Sequence, residues 1–328
     1  MIKSVLLLIT ITIIIIIIIQ HFNKVKDVYT PFEYPPFKID LVYTWGGEHN
    51  DKFNIKTSYN NELKYSLRSV FKNIDWFNKI YIVINTPIES NFPSWFNELY
   101  SDRINIIDQK QIFPVYKHSE LPCKVADIIE TYIHLIPGLS EHFLYLNDDF
   151  FINKPLNYTE FFNKSGTKIK VNKKVSNYEK MNFNDILKFE NYPFNNKGRW
   201  YHDHILYPIT ISSRKRFINE YSEWINWVRN NKYDERMDIK NCNQFGLYTP
   251  CQAIHYPYYI YMYINKNAII NKKLYETYIQ GDEKFQRGIK KIKSNTLFFV
   301  INNIQFDYLN IVTDFLEKKY NNKLYFEK

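Results

Sequence analysis

The sequence predicts an α/β domain built on an open, largely parallel sheet with helices packed against it. Short apolar runs rich in β-branched and aromatic residues alternate with segments whose apolar residues recur at the helical period. This alternation is typical of chains in which a helix connects one parallel strand to the next. Among 328 residues, 45% are hydrophobic and 18% aromatic, which is enough for a substantial core. In sheets of this kind, ligands bind at the carboxyl ends of the strands.

The predicted elements follow one another along the chain. The apolar runs predict strands at residues 39–45, 79–85, 103–107, 143–147 and 296–301. The helical period predicts helices at residues 60–71, 125–136, 213–230 and 309–319. Pro137 and Gly138 end the second of these helices.

The charge balance suggests anionic partners without identifying them. Lysine and arginine total 43 against 34 acidic residues, for a net charge of +9. However, the chain is rich in Asn, Lys, Ile, Tyr and Phe, the composition that an AT-rich genome encodes. The basic excess alone is therefore no evidence for a nucleic-acid partner, and we expect none. Three cysteines without a CxxC pair predict neither a disulfide framework nor a zinc site.

The amino terminus has the pattern of a membrane segment. Residues 5–19 contain no charge and precede no small-residue cleavage site, which favours an uncleaved anchor over a cleaved signal peptide or a buried core element. We therefore expect a transmembrane signal anchor at 1–22, a stalk at 23–37 and one domain at 38–328. This layout predicts a single-pass, type II membrane protein that contacts the membrane through its N-terminal helix.

Two groups of residues in the first half have the chemistry of a site. Asp148 and Asp149 directly follow a predicted buried strand and suit a hard divalent cation, although aspartates at this place also cap turns. Glu130 and His134 lie four residues apart, on one face of the predicted helix. That spacing allows proton transfer between them, or it marks a solvated polar face.

His202 and His204 follow Trp200 and Tyr201 and suit a metal or a phosphate, or else a hydrogen-bonded place in the core. The sequence contains no glycine-rich phosphate loop and no GxSxG motif.

Four blocks of sequence, in order, resemble the Stealth family of hexose-1-phosphate transferases, which includes bacterial capsule polymerases and the lysosomal-enzyme GlcNAc-1-phosphotransferase. The first block is IDLVYTW at 39–45. The second opens with NELKYSLRS at 61–69, includes IPGLSEHFLYLNDDFF at 136–151 and closes with Phe161-Phe162. The third, at 204–263, is weaker, and the fourth begins at 299. The resemblance covers about residues 38–328.

The resemblance implies transfer of a hexose 1-phosphate, similar to GlcNAc 1-phosphate, from a nucleotide sugar to a hydroxyl of a glycan or polysaccharide, with release of a nucleoside monophosphate. It also implies a Rossmann-like or GT-A-like form of the sheet. Catalytic roles fall on Glu130, Asp149, His204 as the base, and Arg236 as a phosphate contact. His202 and Arg229 are the alternatives for the last two.

The resemblance further implies a divalent cation, Mg²⁺ or Mn²⁺, held by Asp148 and Asp149. Donor binding is assigned to Tyr43, Thr44 and Trp45 in the first block and to Arg68 in the second, where the guanidinium is expected to hold the diphosphate.

Three departures from the family pattern keep other functions open. The first block continues with Gly46-Gly47-Glu48, residues 124–126 read KVA, and the last block has Asn302-Asn303 in place of Asn-Asp. They motivate one alternative, a membrane-anchored glycan-binding protein that has kept the fold and lost catalysis. A second alternative is a metal-dependent glycosyltransferase, in which Asp148-Asp149 resembles a DxD-type site and a nucleoside diphosphate is released.

Overall fold

The computed structural model describes residues 33–47, 61–97, 102–123, 126–166, 171–172, 174–175, 200–201, 206–230, 270–271, 276–302 and 304–328. Apart from Glu33, these residues belong to one compact unit, Tyr34–Lys328.

The described strands, in chain order, are β1 (Ile39–Trp45), β2 (Ile80–Ile84), β3 (Ile104–Asp108), β4 (His142–Asn147), β5 (Phe150–Ile152), β6 (Val171–Asn172), β7 (Lys174–Val175), β8 (Trp200–Tyr201), β9 (Tyr207–Thr210), β10 (Ile270–Asn271), β11 (Glu276–Gln280) and β12 (Phe298–Asn302). The described helices are α1 (Glu62–Asn73), α2 (Ile88–Asn91), α3 (Ala126–Glu130), α4 (Ile211–Glu220), α5 (Ser222–Asn230), α6 (Phe285–Ile289) and α7 (Leu309–Lys319).

The main sheet has the strand order β3-β2-β1-β4-β9 within the described part of the chain. The four strands β3, β2, β1 and β4 run parallel, and β9 pairs antiparallel with β4 at the edge. Every residue of β1 is buried, as expected for a central strand covered on both faces. The predicted open, largely parallel sheet with flanking helices is therefore confirmed.

A smaller sheet with the order β11-β12-β5 continues the chain from the end of β4. Its strand β5 follows β4 after only two residues, Asp148 and Asp149. Strand β12 pairs antiparallel with β5 and parallel with β11. A cluster of buried apolar side chains connects this sheet to α1 and α7: Tyr65, Phe151, Ile279, Phe285, Phe299, Ile301, Ile304, Val312, Leu316 and Tyr320. The turn between β4 and β5 is thus held between two cores.

Asp40, at the start of β1, fixes the chain segments that precede the neighbouring strands. Its side chain is fully buried and accepts hydrogen bonds from Asn78 Nδ2 (2.8 Å), the Lys79 amide (3.1 Å) and the Ser140 amide (2.6 Å). A buried carboxylate needs such donors to offset its lost hydration. The segments that lead into β2 and β4 are consequently attached to the amino end of β1.

Two predicted helices differ from the structure. The segment predicted as one helix at 125–136 forms α3, which ends at Glu130, and a separate 3₁₀ turn at Ile133–Leu135. The amides of Thr131 and Tyr132 bond to the carbonyls three residues earlier, which tightens the chain and stops the α-helix. The segment predicted as one helix at 213–230 is divided into α4 and α5 at Tyr221.

The predicted single-pass, type II membrane location requires correction. Across the ranges that the structure describes, we find no helix with the length and apolarity needed to cross a membrane. The predicted anchor at 1–22 and most of the predicted stalk at 23–37 lie outside those ranges.

Arg68 on α1 joins the carboxyl-terminal segment to the rest of the domain. Its Nε and Nη2 donate to the two carboxylate oxygens of Glu327 at 2.8 and 2.7 Å. Its Nη1 donates to Glu317 Oε2 and to the Tyr320 carbonyl, both at 2.9 Å. The side chains of Arg68 and Glu327 are only 6% and 3% exposed, so this pair is shielded from solvent. Removing one partner would leave an uncompensated buried charge.

We expect Arg68→Met to lower the free energy of unfolding by about 3 kcal/mol or more, because Glu327 would be left buried without its partner. Urea denaturation of the full chain measures the change. Arg216→Met is the control, since Arg216 pairs with Glu220 at 2.7 Å on an exposed helix surface and should contribute less than about 1 kcal/mol. Equal effects of the two substitutions would contradict the structural role of Arg68.

Candidate active site

Apart from Arg68, the predicted site residues of the first two blocks lie where β1 and β4 end. The chain places β2 and β3 on one side of β1 and then crosses to place β4 on the other side. Ligands of open α/β sheets bind at the carboxyl ends of the strands where the order reverses in this way. Thr44 pairs with Asn147 across this point, and Asp148 and Asp149 follow directly.

The hydroxyl of Tyr145 is the centre of a buried polar group at this point. It lies 2.8 Å from Thr44 Oγ1 and 2.9 Å from Asn147 Oδ1. It also bonds to the carboxylate of Glu130, which α3 brings to the sheet. Burial, followed by the nearby charge of Glu130, raises the pKa of Tyr145 well above its usual range, so the phenol stays protonated. Thr44 and Glu130 are thereby brought together at the Tyr145 hydroxyl.

The turn after β4 contains two partly buried carboxylates. Burial, and then the charge of Asp148, raises the pKa of Asp149 well above its usual range. The Oδ1 atom of Asp149 is buried and has no hydrogen-bond partner among the described residues. A buried carboxylate oxygen without a donor is unfavourable, so this site favours the binding of a proton or a cation.

Glu62, in the first turn of α1, is a third carboxylate at this turn. Burial raises its pKa well above the usual range, and the charges of Asp148 and Asp149 raise it further. Glu62 was not among the residues that the sequence motifs single out. An acidic residue is common in the first turn of a helix, because it interacts favourably with the helix dipole. The position of Glu62 in the sequence therefore does not identify it as a site residue.

Ser66 sets the position of Glu62 relative to the turn. Its hydroxyl donates to the Phe150 carbonyl at 2.5 Å and lies 3.0 Å from the hydroxyl of Tyr43. Residues four apart on a helix lie on the same face, so Glu62 is one turn away from this contact, on the side of Asp148 and Asp149. Sequence patterns alone do not reveal this contact, which joins residues that are 84 positions apart.

A chain of amide side chains supports the loops around the site. Asn85 Nδ2, at the end of β2, donates to the Gly46 carbonyl at 2.9 Å, and Gln109 Nε2 lies 3.0 Å from Asn85 Oδ1. Gln109 also exchanges two hydrogen bonds of 2.8 Å with the backbone of Cys123. The ends of β1, β2 and β3 are thus connected to the segment that leads into α3. Gly47, with a φ of +97°, turns the chain after β1 in a conformation that favours glycine.

His134 does not share a helix face with Glu130, because α3 ends before it. Both side chains are buried, so the interpretation of this pair as a solvated polar face is wrong. Burial, together with the charges of Arg214, Arg229 and Lys215, lowers the pKa of His134 to about 3. The imidazole is therefore neutral near pH 7.

The residues assigned to donor binding have partners within the protein. The hydroxyls of Tyr43 and Thr44 bond to Ser66 and Tyr145, and Trp45 is buried at the end of β1. Arg68 uses four of its five N–H donors on Glu327, Glu317 and Tyr320. The prediction that Arg68 holds the diphosphate is therefore corrected to a structural role.

The remaining predicted site residues, His204 and Arg236, lie outside the described residues, as does the alternative base His202. Arg229 is described and donates to Thr131 through Nε (2.9 Å) and Nη2 (2.7 Å).

The donor set of the turn suits a hard cation in its chemistry, because Mg²⁺ and Mn²⁺ prefer carboxylate oxygens. Asp148 and Asp149 supply such oxygens, and the unpartnered Oδ1 of Asp149 fits this role. Within the described ranges, however, no three His, Cys, Asp or Glu side chains already stand in a metal-binding arrangement.

The raised pKa of Glu62 predicts a pH-dependent gain in stability for Glu62→Gln in chelator. In the unfolded chain glutamate ionises near pH 4.3. In the folded protein it stays protonated to a higher pH, so the wild type loses stability as the pH rises between the two pKa values. The glutamine variant lacks this loss. Thermal unfolding should show a larger advantage of the variant near pH 8 than near pH 4.5, of about 1 kcal/mol or more.

Glu89→Gln, on an exposed residue of α2, is the control and should show no such pH dependence. An identical difference between Glu62→Gln and wild type at both pH values would contradict a raised pKa of Glu62.

Comparisons with known proteins agree with this geometry. Residues 56–170 match the family described as Stealth protein CR2, conserved region 2. These residues include α1, β2, β3, α3, β4 and β5, and thus Glu62, Glu130, Asp148 and Asp149.

Three curated relatives are named as polysaccharide phosphotransferases. Capsular polysaccharide phosphotransferase fcs1 of Haemophilus influenzae is 32% identical over 168 residues, covering 45% of this chain and 44% of the relative. LcbA of Neisseria meningitidis, a capsular polysaccharide phosphotransferase, is 36% identical over 151 residues, covering 40% and 39%. Receptor polysaccharide phosphotransferase WefC of Streptococcus oralis is 34% identical over 149 residues, covering 39% and 42%. The chain thus spans less than half the length of these relatives.

A solved structure of the galactosyltransferase LgtC with donor and acceptor sugar analogs aligns with 86% of this chain and 95% of its own, at a TM-score of 0.46 and 9% identity. That score is too low to establish a shared fold, so the fold assignment depends on the strand order. The family match at residues 56–170 includes Glu62, Glu130, Asp148 and Asp149, and it agrees with the resemblance of the motifs to the Stealth family.

Proposed function

We propose that this chain transfers a sugar 1-phosphate from a nucleotide sugar to a hydroxyl of a glycan or polysaccharide and releases a nucleoside monophosphate. The donor sugar is proposed to resemble GlcNAc. The observation that carries the proposal is the convergence of Glu130, Asp148 and Asp149 at the point where the order of the parallel strands reverses. The names of the relatives support the same reaction class. From the strand order we also propose that the domain is Rossmann-like and similar to the GT-A kind.

In the proposed reaction, the acceptor oxygen attacks the phosphorus atom that is bonded to the sugar oxygen. The new bond joins the acceptor oxygen to this phosphorus, and the bond from phosphorus to the nucleoside monophosphate breaks. The acceptor hydroxyl loses its proton to a base, and the leaving phosphate takes up the electron pair. Such a reaction needs positioned reactants and positive charge near the phosphate oxygens.

Glu130 and His204 are the candidates for the base. Glu130 is buried, and the hydroxyl of Tyr145 holds its carboxylate at the end of the sheet. A base must lie within hydrogen-bond reach of the proton that it removes, and a fixed carboxylate at the ligand-binding edge satisfies this requirement when the acceptor binds there. Arg236 is assigned to the phosphate oxygens, and Tyr43, Thr44 and Trp45 line the proposed donor site at the end of β1.

Asp148 and Asp149 are the proposed ligands of a Mg²⁺ or Mn²⁺ ion. When bound, such an ion supplies positive charge to the phosphate oxygens. Glu62 lies beside these aspartates, and a bound cation would offset the mutual repulsion that raises its pKa.

The products distinguish this function from its alternatives. The full chain, incubated with candidate nucleotide sugars, a polysaccharide acceptor and Mg²⁺, should release a nucleoside monophosphate that chromatography separates from the diphosphate. Release of a diphosphate would indicate a glycosyltransferase, and no release with any donor would favour a glycan-binding protein.

Chelator should abolish this release, and Asp149→Asn should lower turnover by ~10²-fold or more without rescue by excess donor. The aspartate lies at the phosphate-binding edge, so its loss removes an interaction needed in the transition state. Asp314→Asn, on an exposed residue of α7, is the matched control and should retain normal turnover. Full activity of Asp149→Asn in chelator would assign Asp148 and Asp149 to structure.

We expect His204→Ala and Arg236→Ala to affect different kinetic constants. Loss of a general base lowers kcat by ~10²–10⁴ with little change in donor affinity. Loss of a phosphate contact weakens both the bound donor and the transition state, so Arg236→Ala should also raise the donor KM. Steady-state kinetics measure both constants. If His202→Ala is inactive and His204→Ala is normal, the base is assigned to His202. If both variants are active, Glu130 becomes the first candidate for the base.

A further inference from the structure

The residues directly after Glu130 are held by arginines from two distant helices. Arg229 on α5 donates from Nε to Thr131 Oγ1 at 2.9 Å and from Nη2 to the Thr131 carbonyl at 2.7 Å. Arg214 on α4, which is fully buried, donates from Nη2 to the Glu130 carbonyl at 3.3 Å. Carbonyls at the end of a helix lack partners within the helix, and cations are favourable there.

The hydroxyl of Thr131 links Arg229 to the backbone of α3. Thr131 is fully buried, and its Oγ1 donates to the Ile128 carbonyl at 2.7 Å. Since arginine can only donate, the hydroxyl accepts from Arg229 and donates to Ile128, and both of its roles are defined. The guanidinium is therefore connected through Thr131 to the last turn of the helix that carries Glu130.

The ring of Tyr132 gives the same segment a second attachment. The Cζ atom of Arg229 lies 4.1 Å from the centre of this ring, a distance suited to a cation–π interaction. The ring of Phe113, in the segment after β3, lies 4.4 Å from the same centre. The stretch from Glu130 to Tyr132 is thus attached both to α5 and to the loop that follows β3.

We propose that Arg229 is a positioning residue that holds the end of α3 and thereby places the Glu130 carboxylate at the Tyr145 hydroxyl. The inference rests on the proposed function, in which Glu130 acts on the acceptor. It replaces the alternative role of Arg229 as a phosphate contact, because the Nε and Nη2 donors are directed at Thr131. A displacement of a catalytic group by about 1 Å is enough to lower a rate ~10²-fold.

Three substitutions test the contact in graded ways. Arg229→Met removes the donors and keeps an apolar chain over Tyr132. Thr131→Val removes the hydroxyl at nearly constant volume, whereas Thr131→Ser keeps it. Arg216→Met is the control, because Arg216 lies on α4, is half exposed and forms a surface ion pair with Glu220.

We expect Arg229→Met and Thr131→Val to lower kcat by ~10- to 100-fold with the donor KM within about twofold of wild type. Thr131→Ser and Arg216→Met should retain kcat within about twofold. The first keeps the hydroxyl that bonds to Arg229 and Ile128, and the second leaves that hydroxyl unchanged. A rise in donor KM with normal kcat for Arg229→Met would instead indicate a direct phosphate contact and overturn the proposal.

Amide hydrogen exchange provides a readout that does not depend on activity. In the full-length Arg229→Met protein, peptides covering 126–132 should exchange about tenfold faster or more than in wild type, with no such change in Arg216→Met. Unchanged exchange would overturn the proposal, and so would faster exchange with a normal kcat. A wild-type protein that releases no nucleotide with any donor would refute the proposed function, while the exchange result would still decide whether Arg229 holds the segment.

Discussion

The hydroxyl of Ser66 connects the three elements on which the site depends. It donates to the Phe150 carbonyl just after the β4–β5 turn and accepts from Tyr43 on the central strand, while α1 carries it. Ser69, three residues later on α1, contributes a second contact, since its hydroxyl accepts from the Ile152 amide at 3.0 Å. Helix α1 is therefore fixed against both sheets, and its first turn is held at the end of β4. These contacts contribute to the register of the helix against the turn.

This arrangement creates an electrostatic cost at the same place. The fold holds the partly buried Glu62 and Asp149 beside Asp148, and their raised pKa values indicate that the ionised forms are unfavourable there. Stable proteins normally pair buried charges, and functional sites are where this tendency is overridden. Arg68, on the same helix, shows the usual solution, because its guanidinium matches the carboxylate of Glu327 in the carboxyl-terminal segment.

Much of the main sheet could be predicted from the sequence, because strands buried on both faces appear as continuous apolar runs. Strand β1 has the predicted bounds, and the aspartates at 148 and 149 follow β4 as expected. Strand β9 has no such pattern, since it is four residues long, contains Pro208 and pairs at the edge of the sheet.

The errors have a common physical origin in contacts between distant residues. The periodicity of 125–136 predicts one helix, but Arg214 and Arg229 bond to the carbonyls at its middle and the helix ends at Glu130. Similarly, Arg68 resembles a phosphate ligand in its motif, and only the fold reveals that Glu327 occupies its donors.

The central claim is that the phosphorus atom bonded to the sugar moves with the sugar to the acceptor. Phosphorus NMR of the isolated polysaccharide product, formed by the full chain from a nucleotide sugar, tests it most directly. We expect a phosphodiester resonance in the product and a single phosphate group in the released nucleotide. A product without phosphorus, together with a nucleotide that retains both phosphates, would contradict the claim.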